Sequence, residues 1–272
     1  MGSKEKVIEK LKQMSGHNNI EMTDSGNTAI FAALYCARKM TDLGKVLIPD
    51  QGGWLTYPKY PKMLQMDVET VKTDNGLIDL EDLKKKVSDA KILLYADYGG
   101  YFVKQDVKKI YEICKGKCFV IIDACASIGY EQNGEYCDIL LSSFGRWKPV
   151  NLKYGGFLST NNKDLFEHNE IFNTINFDEE YYAPLLKKLE LADVRQKFLR
   201  EKCNQIKKEL KEFNVLHRKS ECLNVAVAFG SEEEKEKIIN YCNERNYEYT
   251  LCPRYIRVNR DAVCIEVKRL EG

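Results

Sequence analysis

Lys148 is the residue from which chemistry is expected. It lies in the stretch Cys137 to Leu158, CDILLSSFGRWKPVNLKYGGFL. The stretch opens apolar at Ile139, Leu140 and Leu141, as a short buried strand does. Ser142 and Ser143 follow, then an aromatic and basic cluster of Phe144, Arg146, Trp147 and Lys148. Pro149 bars regular helix there, and Gly155-Gly156 leads into a second apolar run. The pattern is strand, loop, Gly-Gly, strand. An amine lodged between two buried strands loses solvation, which lowers its pKa and makes it a nucleophile. Lys153 is its nearest rival.

Four further positions join it. Asp24-Ser25-Gly26-Asn27 is a tight turn feeding a small-residue helix from Thr28 to Met40. Free N–H groups and the dipole at such a helix start make a phosphate cradle. Trp54 follows two glycines after the strand KVLIPD and is placed to stack on a planar ligand. The strongest strand, CFVIIDACASIG, carries Asp123 at its end. Ser143 closes the strand before Lys148. Gly26, Trp54, Asp123, Ser143 and Lys148 thus all fall at strand ends or in the loops after them.

The elements that position them alternate strand and helix through about residue 160, and the strands are near-continuously apolar. That predicts an α/β fold, a mostly parallel central sheet covered by helices on both faces, with ligands at the carboxyl ends of its strands. From residue 163 the character changes. A charged amphipathic run from Ala183 to Phe213 reads as a long joining helix. ECLNVAVAF, SEEEKEKIINYCNER, TLCPRYIRVN and AVCIEVKRL then read as strand, helix, strand, strand, a small α+β domain. The expected division is 1–182 and 183–272.

Composition narrows the function. The chain has 272 residues, 42 basic against 41 acidic, for a net charge of +1. The charges are interspersed, so no nucleic-acid partner is expected. No run suits a membrane span, and MGSKEKVIEKLKQM has no signal-peptide core; a cytoplasmic protein is expected. Met1-Gly2-Ser3 is read as an expression remnant in preference to a myristoylation start. The ten cysteines are irregularly spaced, and the three histidines are His17, His168 and His217. None sits beside a cysteine pair, so no metal site is expected, and the cysteines read as reduced, buried residues. Arg254, Arg257 and Arg260 cluster near the C-terminus, where one could clamp a substrate carboxylate.

The order of glycine turn, aromatic after a strand, strand-end Asp and Ser-Phe-x-x-x-Lys before Gly-Gly resembles the fold-type I pyridoxal-phosphate enzymes. It looks most like the DegT/DnrJ/StrS aminotransferases. The matching residues are Asp24-Ser25-Gly26-Asn27-Thr28-Ala29-Ile30, Ile122-Asp123-Ala124-Cys125-Ala126, and Ser143-Phe144-Gly145-Arg146-Trp147-Lys148 with Gly155-Gly156. The resemblance implies pyridoxal 5'-phosphate as cofactor, with a Schiff base on Lys148. It implies Asp123 at the pyridine nitrogen, and Gly26, Asn27, Thr28 and Ser143 at the phosphate. It implies Trp54 on the ring, and Asn176 reaching the partner subunit's phosphate in a homodimer.

The chain departs from the pattern in three ways. Ala126 replaces the family glutamine that contacts the ring hydroxyl. Lys153-Tyr154-Gly155-Gly156 replaces Gly-Glu-Gly-Gly. The chain is also shorter than the family by about a hundred residues. The expected function is an aminotransferase-like enzyme acting on a small-molecule amino donor and acceptor. Two alternatives stay open. One is a lyase or sulfur- or selenium-transfer enzyme using Cys125, Cys252 or Cys264 as acceptor. The other is a non-catalytic relative.

Overall fold

The apolar runs become seven strands of one sheet: β1 (Asn19–Thr23), β2 (Lys45–Pro49), β3 (Asp67–Val71), β4 (Ala90–Ala96), β5 (Phe119–Asp123), β6 (Ile139–Ser143) and β7 (Gly156–Thr160). They come from a computed structural model that describes residues 2–41, 43–167 and 170–271; Met1 and His168, named above, lie outside the described residues. The order across the sheet is β1-β7-β6-β5-β4-β2-β3. β6, β5, β4, β2 and β3 pair in parallel. β7 runs antiparallel to both β1 and β6. Lys148 therefore lies in the connection between two antiparallel neighbours.

Helices cover both faces, as burial of β4 and β5 on both sides demands. Helices α1 (Ser3–Ser15), α3 (Leu80–Lys86), α4 (Val107–Cys114) and α5 (Tyr182–Glu190) pack one face through Val7, Leu11, Leu83, Ile110, Leu185 and Leu189. Helix α2 (Gly26–Met40) packs the other through Ala29, Ile30, Ala33, Leu34 and Ala37. Each Leu or Ile buried in this way contributes roughly 2 kcal/mol. The alanines of α2 keep its axis close to the sheet.

β3 ends at Val71, and Thr73–Asp74 pairs with Leu77–Ile78 across Asn75-Gly76. Both turn residues have positive φ, 46° and 90°, the hairpin chemistry of an Asn-Gly pair. Helix α3 consequently starts at Leu80, with Asp79 accepting from the N–H groups of Glu81 and Asp82. The run expected as one long helix breaks at Leu191 into α5 and α6 (Ala192–Glu209). α5 buries its face in the large layer, whereas Leu199, Cys203 and Ile206 of α6 enter the core of the small domain. The division expected at 182 and 183 thus falls at the start of α5.

The small domain is an antiparallel sheet of β8 (Asn214–Val215), β9 (Val225–Ala228), β10 (Tyr249–Cys252) and β11 (Ala262–Ile265), in the order β8-β9-β11-β10. Helix α7 (Glu232–Glu244) packs on it, capped by Ser231. It docks beside the carboxyl ends of the large sheet. Tyr255 O accepts from Gly52 N at 2.6 Å, and Gln51 Oε1 accepts from Asn259 N at 2.7 Å. Among the described residues no helix is long and apolar enough to cross a membrane.

Candidate active site

The site begins where the start of α2 meets the ends of β6 and β7. A Cβ on Gly26 would stand 2.4 Å from Ser143 Cβ, and one on Gly156 would stand 2.7 Å from Ser142 O and 3.1 Å from Gly26 N. Two glycines therefore let a helix terminus close directly onto a strand pair. Ser25 caps the helix, its Oγ accepting from Thr28 N at 3.2 Å, while the Thr28 hydroxyl donates to Asp24. Gly26 and Asn27 themselves line the cavity.

That cavity has a volume of about 260 Å³, and Gly26, Asn27, Trp54, Asp123, Ser143 and Lys148 all line it. Thr28 does not, because both its amide and its hydroxyl serve the cap. Asn176 does not either. It is exposed on the loop whose next residue, Phe177, packs on Tyr154 with ring centres 5.3 Å apart. Arg146 and Lys153, which carried no binding role in the sequence reading, add two cations to the lining. Asn27 Oδ1 accepts from Trp54 Nε1 at 2.8 Å, fixing the indole as one wall.

Asp123 is held at both oxygens. Oδ2 accepts from the Tyr57 hydroxyl at 2.8 Å and Oδ1 from Cys125 N at 3.0 Å. The Lys148 amine donates to the Tyr101 hydroxyl at 2.5 Å and stands 5.0 Å from the centre of the Trp54 ring. Here the sequence expectation is corrected. Burial does pull the amine's pKa down, but Cys125, Tyr101 and Asp123 outweigh burial and hold it above the ordinary lysine value. Lys148 is thus an ammonium that must release a proton before it can act as a nucleophile. Tyr57 and Tyr101 were missed by the sequence reading. Neither sits in a motif, and only the fold brings them to Asp123 and Lys148.

The other candidates are engaged elsewhere. Arg257 is buried and gives Nε and Nη2 to Glu266 at 2.8 and 2.7 Å and Nη1 to Ile256 O, so it has no free fork for a substrate carboxylate. Arg254 and Arg260 are exposed. All ten cysteines are free thiols. Burial pushes the thiols of Cys125, Cys252 and Cys264 above the ordinary value, which makes them poor nucleophiles. Cys125 Sγ lines the cavity and accepts from Ser143 N at 3.1 Å. Ala126 packs into the small-domain core, and its carbonyl accepts from Gln196 at 2.8 Å. His17 is buried between Ser159 Oγ at 3.0 Å and Gly134 O at 2.9 Å, and His217 bonds Asp74 O. Among the described residues no group of three His, Cys, Asp or Glu could hold a metal ion.

A flat ring bearing a phosphate, an aldehyde and a basic nitrogen fits this donor set. The glycine cradle at α2 and Ser143 suit the phosphate, Asp123 suits a protonated ring nitrogen, Trp54 suits the ring face and Lys148 suits the aldehyde.

The model of the DegT/DnrJ/EryC1/StrS aminotransferase family matches residues 5–218, and that of the MJ1341 family C-terminal domain matches residues 194–272. No curated protein matches the chain in sequence. Among solved structures, a cysteine desulfurase from Thermococcus onnurineus is similar at 15% identity and TM-score 0.72, covering 97% of this chain and 79% of the other. An alanine–glyoxylate aminotransferase from Nostoc sp. is similar at 13% and 0.73, covering 97% and 81%. An SPT solved with PLP is similar at 13% and 0.71, covering 98% and 71%. At these identities the structures share the fold with this chain.

Proposed function

Because the chain belongs to the DegT/DnrJ/EryC1/StrS aminotransferase family, whose structural neighbours are fold-type I pyridoxal-phosphate enzymes, we propose that it is a pyridoxal-phosphate-dependent, aminotransferase-like enzyme. Lys148 is the residue that takes the cofactor's aldehyde. The observation that carries the reading is the Lys148 amine in a cavity walled by Trp54, with the doubly held Asp123 and the α2 terminus lining the same space. When bound, the cofactor supplies an electron sink for bonds at the substrate's amine-bearing carbon. Asp123 holds the proton on the ring nitrogen. Gly26, Asn27 and Ser143 hold the phosphate, with Arg146 and Lys153 adding positive charge. Trp54 would cover one face of the ring and shield it from water. The Lys148 amine would carry a proton to and from the substrate at Nζ.

We further assign it a small-molecule amino donor and acceptor. The raised thiols of Cys125, Cys252 and Cys264 speak against each of these three as a sulfur or selenium acceptor.

Incubation with pyridoxal phosphate followed by borohydride and peptide mapping tests the assignment. The expected result is a reduced adduct on Lys148, lost in Lys148→Ala. An adduct on Lys153 would overturn the assignment of the central loop, and no adduct on any lysine would mean a non-catalytic relative. We further propose a homodimer, in which Asn176 faces the neighbouring subunit's phosphate. Sedimentation showing a fully cofactor-loaded monomer would refute it.

A further inference from the structure

Tyr101 belongs to no motif, yet contacts from both the large and the small domain converge on it. Its φ is +69°, a conformation that L side chains rarely adopt. Such a conformation persists where neighbouring groups over-determine it, and here they come from the small domain. Tyr101 O accepts from both Leu223 N at 2.8 Å and Asn224 N at 3.0 Å, while Tyr101 N donates to Tyr98 O at 3.1 Å. Around its ring stand three cations: Lys268 Nζ at 4.9 Å from the centre, Lys148 Nζ at 5.1 Å and the Arg257 guanidinium at 5.7 Å.

The two small-domain cations are themselves anchored. Glu266 accepts twice from Arg257, and again from Asn224 Nδ2 at 3.1 Å. Lys268 Nζ lies 3.7 Å from Glu266 and 3.5 Å from the carbonyl of Trp147, the residue before Lys148. A continuous set of contacts thus runs from buried Glu266 through Asn224, Arg257 and Lys268 to Tyr101. From Tyr101 it reaches Lys148 through one short hydrogen bond.

We propose that Tyr101 is a positioning residue for Lys148: its hydroxyl holds the amine at the cavity, and the small domain holds Tyr101 in the backbone conformation that this requires. The proposal draws its meaning from Lys148 being the cofactor-bearing lysine, but its test does not need the cofactor. A phenol oxygen that accepts from an amine favours the ammonium form. Taking away that oxygen alone leaves a partly buried ammonium with one fewer acceptor, so more of the amine is free at a given pH. It also releases the side chain to other rotamers.

The experiment is reductive methylation of the full-length, cofactor-free chain with formaldehyde and cyanoborohydride. Peptide mass spectrometry follows the rate at Lys148 against the exposed Lys211 as internal standard. Tyr101→Phe, which deletes one oxygen and hardly alters access, is expected to raise the Lys148-to-Lys211 rate ratio about tenfold, the size of one charged hydrogen bond. Circular dichroism and the melting temperature check that Tyr101→Phe folds as its parent does. An unchanged or lower ratio in the folded Tyr101→Phe chain overturns the proposal and leaves Tyr101 as packing. Failure of the functional reading would look different: the parent chain would form no borohydride-stable pyridoxal adduct on Lys148, whatever the ratio did.

Discussion

Alanine at position 26 tests how the phosphate cradle is built. Its Cβ would stand 2.4 Å from Ser143 Cβ and 2.7 Å from Ser143 Oγ, against an ordinary contact of 3.4–4 Å. One partner must therefore retreat by roughly 1 Å. Ser143 cannot turn the clash away by a rotamer change, because its Cβ is fixed by a backbone paired with Gly156 of β7. The first turn of α2 has to move. Overpacking of this kind costs about 1–3 kcal/mol, and the helix preference of alanine over glycine offsets up to about 1 kcal/mol. The net loss is about 1–2 kcal/mol, a fall in melting temperature of roughly 2–8 °C for a chain of this size. The same displacement moves the N–H groups of Gly26 and Asn27, and affinity for pyridoxal phosphate should weaken about tenfold.

Calorimetry and a fluorescence titration read both effects. Ser143→Gly removes the obstructing atoms, and the double-mutant cycle should show a coupling of about 1 kcal/mol or more. The lost hydrogen bond from Gly145 N to Ser143 Oγ is common to both arms and cancels. A Gly26→Ala protein as stable as its parent, or a cycle with no coupling, would refute the account of the cradle.

Two titrations follow from buried carboxyls. Burial holds Asp97 up at about 8, whereas an unfolded Asp loses its proton near 4. The unfolded chain binds fewer protons across that window, so stability falls as pH rises through it, by at most about 6 kcal/mol. Asp97→Asn should flatten that slope in urea titrations at several pH values; a parent curve without it would sink the assignment. Glu266 behaves oppositely: burial raises it, but Arg257 and Lys268 outweigh burial and hold it at about 2. Its contribution, about 3 kcal/mol, is present above the unfolded value near 4.3 and lost as pH falls through 2. Glu266→Gln, leaving Arg257 buried without its partner charge, should cost about 3 kcal/mol at neutral pH; a loss below about 1 kcal/mol would contradict it.

The alternation of apolar strands with helices, the glycine turn before α2, Asp123 at a strand end and the loop around Lys148 were all legible from the chain. Each is a local pattern, set by strand period, turn chemistry or the ban on proline in helix, and such patterns need only near neighbours in sequence. The hairpin after β3 is legible in the chain too, since Asn75-Gly76 is a turn pair suited to positive φ at both positions. What local pattern cannot carry is the company a side chain keeps across the fold. The sequence announced that Lys148 would be desolvated, and the sign of its shift came out reversed because Cys125, Tyr101 and Asp123 arrive from other strands and loops. Arg257 looked free until the fold set Glu266 against it. Thr28 looked like a phosphate ligand until the cap claimed its amide and hydroxyl. By itself the sequence determined which elements form and which end of the sheet bears the reactive groups. Only the tertiary structure decided how those groups are charged and which are already engaged. Interactions between charges and hydrogen-bonding groups fall off within a few ångströms, and residues far apart in the chain reach that range only after it has folded.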